Sequence, residues 1–123
     1  MTARESSLPR FAEAGITEGP NLWIRNLDVT SPGDREAIVT EAVERLGGVD
    51  VLINNAGITC RSMVEHVIED ERLQEMGVNF RGPMEWARLV LPGMRRKPAG
   101  RIHECVLGKR YNGDADHGGL QRV

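Results

Sequence analysis

From Leu22 to Leu27 the chain runs Leu-Trp-Ile-Arg-Asn-Leu, an apolar stretch that predicts a strand. From Ile38 to Leu46 the apolar positions instead recur at helical spacing. Ile38, Ala42, Val43 and Leu46 form one stripe, while Arg35, Glu36, Glu41 and Glu44 occupy the rest of the helix surface. Ser31-Pro32-Gly33-Asp34 supplies the start of this helix: a serine can cap, proline suits the first turn, and an aspartate is favoured near the positive end of the dipole. Gly47-Gly48 ends it, and Val49 to Ile53, interrupted only by Asp50, then reads as a strand buried on both faces. Upstream, Leu8 to Ala14 predicts a short helix stopping at Gly15, and Gly19-Pro20 belongs to a loop.

Asp70 to Met94 is again helical in pattern, with Leu73, Met76, Phe80, Met84, Ala87, Leu91 and Met94 along one stripe. Gly82-Pro83 lies inside it, and a proline there removes a backbone donor, so a kink or break is expected at that point. Pro98-Ala99-Gly100 is the following turn. From His103 to Val123 periodicity is lost, and an unstructured tail is expected. Strands and helices in alternation imply an α/β class with a parallel sheet, whose ligands lie at the carboxyl ends of the strands.

Bulk properties narrow the function. The chain has 123 residues, enough for one small domain, with Lys and Arg (16) slightly outnumbered by Asp and Glu (18) and scattered among them. No basic face for nucleic acid is present, and no apolar run approaches the ~20 residues that span a bilayer. A cytoplasmic protein with no membrane partner is expected. Cys60 and Cys105 form no CxxC pair, so neither a disulfide framework nor a zinc site is indicated.

The chemistry-bearing feature is Asn54-Asn55-Ala56-Gly57, directly after the Val49 to Ile53 strand, where small residues let a ligand approach a carboxyl edge. Alone it is a common turn composition. With Asp28-Val29 ending the preceding strand and Asn79 in the next long helix, the set over Met1 to Ile102 resembles the classical short-chain dehydrogenase/reductases. The resemblance implies an incomplete Rossmann-like doubly wound parallel sheet over residues 1–102. It also implies an NAD(P) cofactor, a small alcohol or carbonyl substrate, and a homo-oligomer. By the same resemblance Asp28 and Val29 would stand at the adenine, and Asn55, Ala56 and Gly57 would pass the adenosine ribose. Asn54 would help hold the sheet. Asn79 would match the asparagine whose backbone holds a water in the proton relay behind the catalytic lysine. Arg4 reads first as a solvated N-terminal charge, and second as a weak match to a position where arginine pairs with a 2′-phosphate and favours NADP.

Two departures qualify these implications. No glycine-rich turn joins a first strand to a helix, so the backbone donors that hold a pyrophosphate are missing from the sequence; Gly15 and Gly19 precede a strand rather than follow one. The family's first strand, expected between the strands matching Leu22–Leu27 and Val49–Ile53, is missing with it, depriving both of a neighbour. The catalytic tyrosine with a lysine four residues on is also missing, since Tyr111 is followed at that distance by Ala115 and Lys109 lies on the wrong side. His103, Cys105, Asp114, Asp116 and His117 fit no common metal spacing.

Codons permitted by Asn112 to Val123, read one base later, encode Met-Ala-Met-Pro-Thr-Met-Gly-Ala-Tyr-Ser-Ala, and His103 to Tyr111 permits a paired serine before it. That is the family's serine and tyrosine pattern, so residues 103–123 read as a frameshifted tail. The expectation is a truncated NAD(P)-dependent oxidoreductase of this family, inactive alone and poorly able to bind cofactor. The alternative is a non-catalytic remnant that pairs with a full-length homologue.

Overall fold

The computed structural model describes residues 2–3, 6, 8–60, 63–97 and 100–105. Four short strands appear among them: β1 (Thr2–Ala3), β2 (Arg25–Asn26), β3 (Val51–Asn54) and β4 (Arg101–Glu104). The helices are α1 (Leu8–Glu13), α2 (Pro32–Leu46), α3 (Glu69–Met76) and α4 (Gly82–Arg95), with a π-helical segment at Gly77–Arg81 between the last two.

Local chemistry sets the ends of α2 as the sequence predicts. The Ser31 hydroxyl accepts from the Asp34 amide at 3.3 Å, Pro32 opens the first turn, and Gly47 closes the helix at φ 74, a conformation glycine adopts without a Cβ penalty. α1 ends before Gly15 at φ 71. The expected kink takes the form of the π segment: the Gly82 amide reaches back to the Gly77 carbonyl, and Pro83 follows in the first turn of α4.

Both ladders are parallel. β1 pairs with β2 in the register Thr2↔Arg25, and β3 pairs with β4 from Val51↔Arg101 to Asn54↔Glu104. They form two separate two-stranded sheets among the described residues. Three expectations change here. The strand within Leu22–Leu27 has a neighbour after all, Thr2–Ala3, and its ladder is confined to Arg25–Asn26. β4 carries regular structure through His103 and Glu104, two residues past the expected boundary, because their backbones complete the ladder with Ile53 and Asn54. β3 is covered on one face only: Val51 and Ile53 are 51% and 62% exposed, while Leu52 packs inward.

Leu27, Trp86, Val90 and Met94 are buried together, with Val29, Ile38, Val39, Val49, Leu52 and Ile102 packed against them. Thus α4 turns Trp86, Val90 and Met94, spaced by four, toward the strands and α2. Much of the apolar stripe read from the sequence lies outside, since Leu73, Met76, Phe80 and Met84 are all exposed. The π segment adds a residue to the turn, so one helical wheel drawn through it cannot describe both halves. Arg35, expected on the polar face of α2, is buried.

Candidate functional site

The carboxyl end of β2 is built as a tight turn on the first turn of α2. Buried Leu27 anchors the chain, and Asp28 then emerges exposed. Its Oδ1 accepts from the Thr30 amide at 2.8 Å and the Thr30 hydroxyl at 2.7 Å, an Asx-type turn. The Asp28 amide donates to Asp34 Oδ2 at 3.0 Å, and the Ser31 amide donates to the Asp28 carbonyl at 3.0 Å. Val29 is half-buried, and its carbonyl accepts from Arg35 Nη1 at 2.6 Å. A Cβ on Gly82 would stand 3.2 Å from that same carbonyl and 3.2 Å from the Gly77 carbonyl, so the glycine allows the π segment to lie directly on the turn.

The carboxyl end of β3 is held from two sides. Asn54 Nδ2 donates to Glu104 Oε1 at 2.8 Å and to the Pro83 carbonyl at 3.4 Å, while the Cys105 amide donates to the Asn54 carbonyl at 2.9 Å. Four residues on, at Ile58, the Asn79 side chain makes a two-point clamp: its Nδ2 donates to the Ile58 carbonyl at 2.7 Å and its Oδ1 accepts from the Ile58 amide at 2.9 Å. Between these fixed points Asn55, Ala56 and Gly57 are exposed. Asn54, Ala56, Gly57, Asn79, Phe80 and Glu104 line an open cavity of about 440 Å³.

Asn79 and the Asn54–Gly57 segment are therefore brought together, and Asp28 with Val29 stands at the end of the other ladder, joined to the first group through Gly77 and Gly82. Arg4 lies outside the described residues, as do Lys109, Tyr111, Asp114, Asp116, His117 and the reading of the tail beyond Cys105. Arg35, Glu104 and Ile58 were not singled out from sequence. The chance of finding Arg35 lay in its place on the first turn of α2, where a cation faces the positive end of the dipole and needs a reason.

Chemically, the arrangement offers an exposed carboxylate at one strand end and exposed backbone with small side chains at the other. The residue four beyond Asn79 is Pro83, which has no N–H to offer the Asn79 carbonyl. Beside the clamp, the hydrogen bond to Glu75 and then burial push the Cys60 thiol up from its ordinary value, so Cys60 is a poor nucleophile.

The sequence matches the family model described as short chain dehydrogenase over residues 2–104. It is 38% identical over 76 residues to a 3-oxoacyl-[acyl-carrier-protein] reductase of Vibrio cholerae, covering 62% of this chain and 31% of that protein. It is 35% identical over 91 residues to dehydrogenase/reductase SDR family member 7B of Mus musculus, covering 72% of this chain and 28% of that protein. A crystal structure of a short-chain dehydrogenase from Streptomyces avermitilis superposes with a TM-score of 0.68 at 30% identity, covering 82% of this chain and 36% of that one. The aligned stretch spans about a third of the length of these curated relatives. The likeness extends to the Rossmann-like parallel α/β fold.

Proposed function

This chain belongs to the short-chain dehydrogenase family, and on that premise we propose that it carries the adenosine side of a nicotinamide dinucleotide site without a complete hydride-transfer centre. In this reading Asp28 and Val29 meet the adenine, Asn55, Ala56 and Gly57 follow the adenosine ribose, and the Asn79 carbonyl holds a water. Arg4, if it meets the ligand, pairs with a 2′-phosphate and favours NADP. The observation that carries the proposal is the pinned Asn54–Ile58 turn at the end of β3, whose exposed small residues leave room for a sugar edge.

The residues present fit the adenosine half of such a group. Asp28 presents an exposed carboxylate, an acceptor of the kind an exocyclic amine takes. They do not fit the pyrophosphate, for which the sequence offers no glycine-rich turn. A bound nicotinamide would exchange hydride with a small alcohol or carbonyl. Without a tyrosine and lysine at the required spacing, these residues supply no proton donor for that exchange.

The test is an NMR titration of the chain with ADP-ribose, beside an NADPH assay over a carbonyl panel. Shifts confined to Asp28, Val29 and Asn55–Gly57 with no turnover are expected. Turnover by this chain, or no response to ADP-ribose, would overturn the proposal. For the tail, a frameshift is proposed from codon permissiveness, and sequencing the coding DNA checks it: a shifted frame without the serine, tyrosine and lysine codons ends the idea.

A second reading is favoured by the uncovered face of β3, where Val51 and Ile53 are exposed beside a two-stranded ladder. Such a strand invites pairing with a full-length homologue or a second copy. A mixed complex on sizing chromatography would support it.

A further inference from the structure

We infer that Arg35 is a positioning residue for the adenine end of the cofactor site: its buried guanidinium holds the Val29 carbonyl and thereby fixes where Asp28 stands. This rests on the adenosine-side reading above and adds to it a residue that touches no ligand.

The side chain is placed at a cost. Arg35 is 5% exposed, its Nε is buried without a hydrogen-bond partner among the described residues, and it sits in the first turn of α2 where a positive charge opposes the dipole. One charge-assisted bond stands against the desolvation of a buried guanidinium, so the net gain in stability is small. What it does achieve is specific. Nη1 donates to the Val29 carbonyl at 2.6 Å, and Gly82 lies near the same carbonyl, where an added Cβ would stand at 3.2 Å. The Val29 carbonyl is thus held by a charge-assisted bond in a crowded place.

Asp28 lies one residue before that peptide. Its amide is held by Asp34, its carbonyl by the Ser31 amide and its carboxylate by Thr30, all exposed or half-buried bonds at the start of α2. Arg35 is the buried member of this set, and its bond ties the turn to α2. Release of the Val29 carbonyl would leave the turn attached but free to rotate, which moves the carboxylate away from an adenine amine.

The experiment compares the full chain with Arg35→Met, which keeps an unbranched apolar stem and drops the guanidinium donors, and Arg35→Lys, which keeps a cationic donor. Each is titrated by NMR with ADP-ribose and, separately, with nicotinamide mononucleotide, which has no adenine, and each is followed by amide exchange and thermal unfolding. The Met variant is expected to stay folded, with a thermal midpoint lowered by no more than the few degrees that loss of one hydrogen bond costs. Its ADP-ribose affinity should fall about tenfold, the worth of one good hydrogen bond, with faster exchange at the Thr30 and Ser31 amides and an unaltered response to the mononucleotide. The Lys variant should recover most of the affinity. Unchanged ADP-ribose affinity in the Met variant, no recovery with Lys, or a Met variant that unfolds while Lys stays folded would overturn the assignment and leave the adenosine-side reading standing. Failure of the unsubstituted chain to respond to ADP-ribose would instead remove that reading and this one with it.

Discussion

Asn79 uses one amide to satisfy both backbone groups of Ile58, and that small clamp sets the shape of the turn after β3. Asn79→Ala removes two hydrogen bonds worth roughly 0.5–1.5 kcal/mol each. The expected outcome is a loss of about 1–2 kcal/mol in denaturant unfolding, with faster exchange at the Ile58 amide than at Val78. Asn79 was visible in the sequence as a helix asparagine after a strand-end motif, but its partner was not, because side-chain bonds to a distant backbone leave no trace in spacing. The two thiols offer another check. Glu75 and burial push the Cys60 thiol up, whereas Cys105 is exposed. Iodoacetamide at pH 8 should therefore label Cys105 first, and Glu75→Gln should speed labelling of Cys60.

Among elements, α4 carries most of the packing. Trp86 is the largest side chain of its buried face, and Trp86→Ala should cost about 3–5 kcal/mol, a large share of the 5–15 kcal/mol that holds a typical domain. The chain is expected to lose its cooperative thermal transition by circular dichroism. Gly82→Ala is subtler: its Cβ would crowd two carbonyls at 3.2 Å, and a loss of about 1–3 kcal/mol is expected by urea unfolding. The ends of α2 were legible down to the residue because Ser31, Pro32 and Gly47 act through local geometry. The buried face of the long helical stretch was not, because the π segment shifts the phase between Met76 and Gly82 and no sequence period announces it.

α2 and β2 are also tied by charge. Arg25 holds Glu41 through two bonds of 2.7 and 2.9 Å and meets Glu18 at 2.8 Å. The hydrogen bond from Arg25 lowers the Glu41 carboxyl, and the Ile24 amide lowers that of Glu18. Both carboxyls thus ionise more readily folded than unfolded, so their stabilisation is present above the ordinary carboxylate range and is lost as pH falls through it. The thermal midpoint should decline on acidification below about pH 5, and less steeply in Glu41→Gln.

For the whole molecule, the decisive feature is the division of the described strands into two ladders. The parallel α/β class and the family were readable from alternation and from Asn54–Gly57. The separation into pairs was only half readable, because the β1 partner of β2 consists of two residues, Thr2 and Ala3, with no strand signature of their own. Exposed Val51 and Ile53 next to an unshared edge predict association above micromolar concentration, and Ile53→Lys should reduce it in light scattering without loss of helical signal.

Separate ladders also set a timetable. The β3–β4 pair closes across the whole stretch from α3 to α4 and rests on Leu52 and Ile102 in the core, whereas the β1–β2 pair has only two residues per strand. Deuterium should therefore enter the protein in two waves, the Arg25–Asn26 backbone first and the Val51–Asn54 backbone only when the core itself opens. A protease meeting the native chain would find its first openings near residues 19–26, before the elements that hold Asn79 have begun to move.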